Sequence, residues 1–294
     1  MVSGKKVSII LPVYNGSQYL KNSIDSILRQ TYTNFELIVV DDCSTDSTPD
    51  ILREYASRDN RVKVIRNTTN QKLPNSLNIG FSKADGDYFT WTSDDNCYLD
   101  TAFETMVNFL NKHFSYGMVY TDMFLIDAEG NILRKSRQPD PVHFLYRCAA
   151  GACFLYRRKI AKAAGEYDSQ LFLAEDYDYW LRIYQISQIK HLRQYLYCYR
   201  SHGKSLTSTK YNKIKIQTGK VLDKHFPYIM AHIPNRRILY AFLDQYALCK
   251  GEQEKELLLR FKKQYRGYGL HRVIYNSTQL VQRIYAHMNR KRHK

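Results

Sequence analysis

Short apolar, β-branched runs recur through the N-terminal third of the chain: Val7–Val13 (VSIILPV), residues 35–40 (FELIVV), residues 62–65 (VKVI) and Tyr88–Trp91 (YFTW). Each reads as a strand. Between them the apolar period lengthens to that of a helix over residues 19–29, 48–57 and 75–84, with Ser47 or Thr48 placed to cap and Pro49 at an early helical position. Strand alternating with helix predicts a parallel sheet with right-handed crossovers, whose ligands bind beyond the carboxyl ends of the strands. Three polar clusters fall at those ends: YNGS from Tyr14, DDCSTD from Asp41 and SDDN from Ser93.

The pattern then becomes mixed. It predicts a helix over 99–113, a strand over 117–126, a polar connection over 131–147, a short strand over 152–156 and a helix over 158–165 that ends at Gly165. Residues 175–187 form the next helix, with Tyr177, Trp180, Leu181 and Tyr184 on one apolar face. From Leu206 onward the pattern is helical and basic, and Val273, Leu280, Val281, Ile284, Tyr285 and Met288 make a stripe in the last segment. No internal repeat or low-complexity tract interrupts the chain. The fold class expected is α/β over residues 1–205, followed by a basic helical appendage over 206–294.

Composition narrows the class. The chain has 294 residues, 44% of them hydrophobic, enough for a sizeable core. Its net charge of +16 is uneven, with +2 over residues 1–205 and +14 over 206–294. No window reaches the roughly 18 apolar residues of a membrane span. The run VSIILPVY is broken by Pro12 and has no small-residue cleavage site, so a cytoplasmic protein is expected. Six cysteines without CxxC spacing read as reduced thiols, not as a zinc site or a disulfide framework.

The carboxylates carry the candidate chemistry. Ser44 to Thr48 suit a turn and a helix cap, which leaves Asp41 and Asp42 unexplained; a carboxylate at a strand end can accept from a base N–H or a ribose hydroxyl. Adjacent Asp94 and Asp95 raise the cost of ionising one another. They can jointly hold a hard divalent cation, or lie in a surface turn. Glu175 and Asp176 sit in the first turn of a helix, as dipole partners or as a proton acceptor. In YRSHGKS, Arg200 offers a fork for phosphate and His202 a metal ligand or a solvated imidazole.

Taken together and in order, VSIILPVYNG, FELIVVDDCSTDST, ADGDYFTWTSDDN, GACFLYRRKIAKAAGEYD, AEDYDYWLR and YRSHGKS resemble the family 2 glycosyltransferases of the GT-A fold, over about residues 7–205. The resemblance implies a Rossmann-like, mainly parallel sheet flanked by helices. It divides the catalytic domain into a nucleotide-binding half over 1–98 and an acceptor half over 99–205. It further implies that Pro12, Tyr14, Asp41 and Asp42 contact the nucleoside of a nucleotide-diphospho-sugar, a UDP-sugar first among them. Asp94 would bind donor and metal, Asp95 and His202 the metal (Mn²⁺ or Mg²⁺), Arg200 the diphosphate, and Asp176 would be the general base. Many relatives carry an aspartate two positions before the pair, where this chain has Thr92, so the dominant metal ligand of the two stays open.

The implied reaction is inverting transfer of a sugar to a hydroxyl of a glycan or lipid-linked acceptor, as in surface polysaccharide synthesis. A catalytically inactive binding or scaffolding relative is the alternative. A Rossmann oxidoreductase would need GxGxxG after the first strand, and a DxDxT phosphatase a second acid at Cys43. A nucleic-acid binder would not line its crevice with acids, so no nucleic acid is expected. The basic region over 206–294 can lie on an anionic membrane surface, making the protein peripheral on the inner face.

Overall fold

A computed structural model of the chain describes residues 4–203, 205–264, 273, 274, 276, 278 and 279. Two compact units emerge, Met1–Pro141 with Cys148–Thr209, and Val142–Arg147 with Lys210–Lys294.

In the first unit, β1 (Val7–Val13) and β2 (Phe35–Asp41) are buried at every position, which is why they read as continuous apolar runs and not as alternating ones. On one face, Ile9, Leu11, Leu37 and Val39 share a core with residues of α1 (Leu20–Leu28), α2 (Thr48–Arg58) and, further along, α4 (Ala102–Lys112). On the other lies α3 (Lys72–Ser82), where a Cβ at Gly80 would stand 2.4 Å from Ile10 Cγ2. That close approach explains a glycine inside a helix.

β3 (Val62–Arg66), β2, β1 and β4 (Tyr88–Trp91) pair in that order and all in parallel. The sheet of the described residues then continues as a mixed one through β8 (Phe154–Arg157), β6 (Tyr116–Ile126), β9 (Gln188–Arg200) and β5 (Cys97–Tyr98), with β7 (Ile132–Ser136) paired to β6. Helices α5 (Arg158–Ala164) and α6 (Glu175–Ile186) follow β8, and α7 (Leu206–Thr209) closes the unit.

Three strands, β5, β7 and β9, leave no mark in the hydrophobic pattern, and α3 begins three residues earlier than expected. β5 is two residues long. β7 lies inside the stretch read as a polar connection; it is a strand only because it pairs with β6, and its side chains show no burial alternation. β9 loses its alternation at Arg193 and Gln194, where its register with β6 shifts.

The second unit contains α8 (Tyr211–His232), α9 (Arg236–Leu248) and α10 (Glu252–Gln264). Val221, Leu222, Phe226, Ile229 and Met230 are buried on α8, and Leu239, Phe242, Leu243 and Tyr246 on α9. Rings of Phe226 and Phe242 stand 5.8 Å apart, and Lys250 Nζ pairs with Asp223 at 2.6 Å. Of the expected last stripe, Val273 is buried, whereas Leu280, Val281, Ile284, Tyr285 and Met288 lie outside the described residues.

A buried carboxylate ties the amino-terminal ends of the strands together. Glu36 on β2 accepts from Ser8 Oγ of β1 at 2.6 Å, from Lys63 Nζ of β3 at 2.7 Å and from the Asp85 amide before β4 at 3.0 Å. Burial alone would raise this carboxyl, but those bonds outweigh it and hold the pKa at about 2. A depressed pKa supplies stability above the unfolded value of about 4.3 that is lost as pH falls towards the folded one. Glu36→Gln should therefore lower unfolding free energy by about 1–3 kcal/mol at neutral pH. Denaturant titrations of both proteins should show the gap closing at acid pH.

Candidate active site

Beyond β1 the chain reverses at Asn15, in the left-handed region at φ 53°. Its side-chain oxygen accepts from Thr45 N at 2.8 Å; Gly16 N donates to Thr48 Oγ1 and Ser17 N to Asp46 Oδ2, each at 3.1 Å. The turn after β1 is thus laced to the turn after β2. Burial would raise the Asp46 carboxyl, but the bonds from Thr48 and Ser17 hold it below its ordinary value. Gly16 is set by close approach, since a Cβ there would meet Asp94 Oδ2 at 1.8 Å and Val13 Cγ2 at 2.6 Å.

Asp41 and Asp42 at the end of β2 are both buried. Asp41 Oδ1 accepts from Ser44 N at 2.9 Å, while Oδ2 has no hydrogen bond and faces Arg66 Nε at 3.5 Å. Asp42 accepts from Asn67 Nδ2 at 2.8 Å, Gln71 N at 2.7 Å and Lys72 N at 2.9 Å. It organises the segment that opens α3, where Lys72 has φ 69°. Pro12 is buried within β1, paired with Val40, and Tyr14 is 52% exposed.

The loop after β4 holds the adjacent carboxylates. Asp95 is answered: Oδ1 accepts from Ser93 Oγ at 2.7 Å and Oδ2 lies 2.9 Å from His202 Nε2. Asp94 has no hydrogen bond or ion pair to another described side chain, and burial followed by the charge of Asp95 raises its pKa to about 7. Thr92 shares a 2.6 Å hydrogen bond with the buried Tyr197 hydroxyl.

Arg200 is 3% exposed. Its Nε donates to the Asp95 carbonyl at 2.9 Å, and its Nη1 to the carbonyls of Asp127 at 3.1 Å and Ala128 at 2.9 Å. Its own amide donates to Asn96 Oδ1 at 2.7 Å, and its guanidinium lies 4.5 Å from the Tyr19 ring centroid. Nε and Nη1 of the expected phosphate fork are thus bonded to the main chain.

At the start of α6, Asp176 Oδ1 accepts from Tyr177 N at 2.7 Å and Oδ2 from Cys148 Sγ at 3.5 Å. Buried Glu175 turns back to accept from Leu173 N at 2.6 Å, in a turn where Leu173 has φ 81°. Burial raises both carboxyls, and their proximity makes ionising the two together costlier still. The Tyr199 phenol, raised first by burial, is raised further by the charges of Asp95 and Asp176 together.

No three His, Cys, Asp or Glu side chains among the described residues are placed to hold one metal ion. The family model described as "Glycosyl transferase family 2" matches residues 8–165, more than half of the chain. The chain belongs to glycosyl transferase family 2. Its relatives in that family include the "Putative glycosyltransferase EpsE" of Bacillus subtilis, 37% identical over 193 residues that cover 63% of this chain and 69% of that protein. An uncharacterised glycosyltransferase of Haemophilus influenzae is 30% identical over 234 residues, 74% of this chain and 72% of that one.

Among solved structures, S. aureus TarS 1–349 in complex with UDP aligns with TM-score 0.62 at 20% identity, covering 86% of this chain and 78% of TarS 1–349. The mannosyltransferase PcManGT of Pyrobaculum calidifontis, in complex with GDP-Man and Mn²⁺, aligns with TM-score 0.59 at 16% identity, covering 96% and 81%. These neighbours share the GT-A fold, so this family 2 glycosyltransferase has the architecture its motifs implied.

Of the expected site residues, Tyr14, Asp94, Asp95, Asp176 and His202 keep some exposure, while Pro12, Asp41, Asp42 and Arg200 are buried. The motifs do not single out Gly16, Asp46, Cys148 or Tyr199. Gly16 alone has a signal, a glycine directly after a strand-end turn; the others become visible only through their contacts. Arg200→Ala should cost this glycosyltransferase about 2–4 kcal/mol in denaturant unfolding, because it leaves carbonyls of two loops without their charged donor.

Proposed function

We propose that the protein is an inverting, metal-dependent glycosyltransferase that moves a sugar from a nucleotide-diphospho-sugar to a hydroxyl of a glycan or lipid-linked acceptor. The observation that carries this reading is Asp94, which has no ion pair to another described side chain, beside the Asp95–His202 pair in the loop after β4. A carboxylate without a counter-charge, next to a second one, favours a cation.

The residues fit a divalent ion of the Mn²⁺ or Mg²⁺ kind. Asp95 Oδ2 and His202 Nε2, 2.9 Å apart, have the spacing of neighbouring ligands around an ion bound at about 2.1 Å. Among the described residues no third such side chain, Asp94 included, converges on that pair, so water and donor phosphate oxygens would have to complete the shell of a hard ion held there. When bound, the ion supplies Lewis-acid stabilisation of the departing diphosphate.

The chain's own residues do the rest. The turns after β1 and β2 form the nucleoside end, with Tyr14 at its rim and Asp41 and Asp42 acting from beneath by ordering residues 42–44 and 67–72. The complexes of TarS with UDP and UDP-GlcNAc favour a UDP-sugar as the first donor to test. Arg200 we assign to positioning: it fixes the Asp95 carbonyl, and hence the loop that carries Asp94 and Asp95.

Asp176 takes the proton of the acceptor hydroxyl as that oxygen attacks the anomeric carbon and the bond to the diphosphate breaks. The first turn of α6 favours its charged form, and burial makes that form more basic. A carboxylate of this kind transfers the proton during attack, and such help accounts for roughly 10²- to 10⁴-fold in rate. Attack opposite the leaving group by one base inverts the anomeric centre. A place in surface polysaccharide synthesis, with the basic region over 206–294 against an anionic membrane, completes the proposal. No described helix is long and apolar enough to cross a membrane.

Calorimetric titration with UDP-, GDP-, TDP- and CMP-sugars, with Mn²⁺ and with EDTA, tests the donor site. One donor class should bind only with the metal, and at least tenfold more weakly to Asp95→Asn; no binding to a folded protein would favour an inactive relative. Asp176→Asn should lower turnover about 10²- to 10⁴-fold with donor affinity nearly unchanged. NMR of the first-formed product should show the opposite anomer to the donor.

A further inference from the structure

Cys97 and Cys198 fall just outside the motifs that carry the catalytic reading, one directly after Asn96 and the other directly before Tyr199. The fold brings them face to face. β5 and β9 pair in antiparallel fashion, with Cys97 opposite Cys198 and Tyr98 opposite Tyr197. Residues directly opposite one another in such a pair point to the same side of the sheet. The tyrosines show this on the other side, where their ring centroids are 4.8 Å apart.

The ladder also gives the class of the cysteine pair. Leu99 N donates to Leu196 O at 3.0 Å, so that pair is a hydrogen-bonded one, and by alternation so is Cys97 with Cys198. Cα atoms in this class stand about 5.5 Å apart, inside the roughly 4.4–6.8 Å that a disulfide spans. Both cysteines are free thiols and half-buried, which leaves them within reach of a small reagent. Cys97 Sγ donates to the Asn22 carbonyl of α1 at 3.7 Å, a weak contact that a turn about its own side-chain bond releases. β5 is two residues long and ends the sheet of the described residues, so it can take up the small twist that would join the sulfurs.

We propose that Cys97 and Cys198 form a thiol–disulfide couple, a modification site for small disulfide oxidants that staples the acidic loop to the strand leading to His202. A thiolate of one cysteine attacks a sulfur of the oxidant and expels half of it as a thiolate; the thiolate of the other attacks the mixed disulfide and expels the second half. Two electrons pass to the oxidant, which takes up the two protons and leaves as two thiols. The new bond would fix Cys97, in the segment that follows Asp95, to the strand that ends at Arg200, on the two sides of the 2.9 Å contact between Asp95 and His202. The couple is independent of which donor the crevice takes, or whether it takes one.

The test treats the full chain with oxidised glutathione. A tryptic digest run without reductant should then contain residues 84–112 joined to residues 194–200, each of which carries a single cysteine. The joined species should be about 2 Da lighter than the two peptides together, and dithiothreitol should separate it. Cys198→Ser should leave residues 84–112 carrying glutathione instead. In the oxidised wild type, amide hydrogen exchange over residues 93–97 should slow and the denaturant midpoint should rise, since a long closed loop restricts the unfolded chain. Neither change should appear in treated Cys198→Ser. Recovery of the two cysteines as separate thiols, or as separate glutathione adducts, would overturn the couple. Joined peptides with exchange and midpoint unchanged would overturn the staple.

Discussion

A guanidinium that is 3% exposed must find its acceptors within the protein, and Arg200 finds them in the main chain of two loops at once. One loop carries Asp94 and Asp95; the other is the turn between β6 and β7. Arg200 is also the last residue of β9, so the segment that presents His202 to Asp95 starts from the same fixed point. Arg200 therefore ties the acidic loop, the turn between β6 and β7 and the start of the histidine's segment to one another. In a site whose loops connect strands far apart in sequence, such a fixed point replaces the stiffness that a regular element would have provided.

The two ends of the parallel strands treat buried acids in opposite ways. At the amino-terminal end Glu36 is surrounded by donors, with Lys63 and Lys6 beside it, and titrates at about 2. At the carboxyl end Asp94 has no side-chain donor, and burial with the charge of Asp95 raises its pKa to about 7. Desolvation acts on both; the difference is whether the fold completes the shell. Completing it stabilises the sheet, and leaving it open costs stability locally but keeps oxygen ligands available.

Where burial shows in the apolar pattern, the fold is legible from residue order. β1, β2 and β4 and the helices between them have buried faces that set the period, and their ends put the three polar clusters where the structure has them. β7 escapes because it is defined by hydrogen bonding to β6 and is exposed at nearly every position, and β9, though it buries Ile189, Leu196 and Tyr197, has its alternation broken by a register shift. In the site, the motifs lead to the acidic residues and to His202, but the direction of each side chain stays hidden. Arg200 illustrates this, since residue type suits phosphate whereas geometry gives it carbonyls. Thr92 is similar: its place in the motif gives no sign that its hydroxyl bonds the buried Tyr197.

The division of the chain into units has a consequence for how the protein is made. Residues Val142–Arg147 cluster with the helices after Lys210, not with the strands that flank them in sequence. A ribosome releases these six residues before the helices they join, and about 60 further residues must emerge first. At roughly 5–20 residues per second, that is a wait of several seconds. Throughout it Phe144 and Leu145, fully buried in the finished protein, have not yet met their unit. The helical unit is thus discontinuous in sequence, and a truncation at residue 205 would leave six of its residues stranded in what remains. Nascent-chain handling, and the choice of where to cut the protein for expression, both turn on this short excursion.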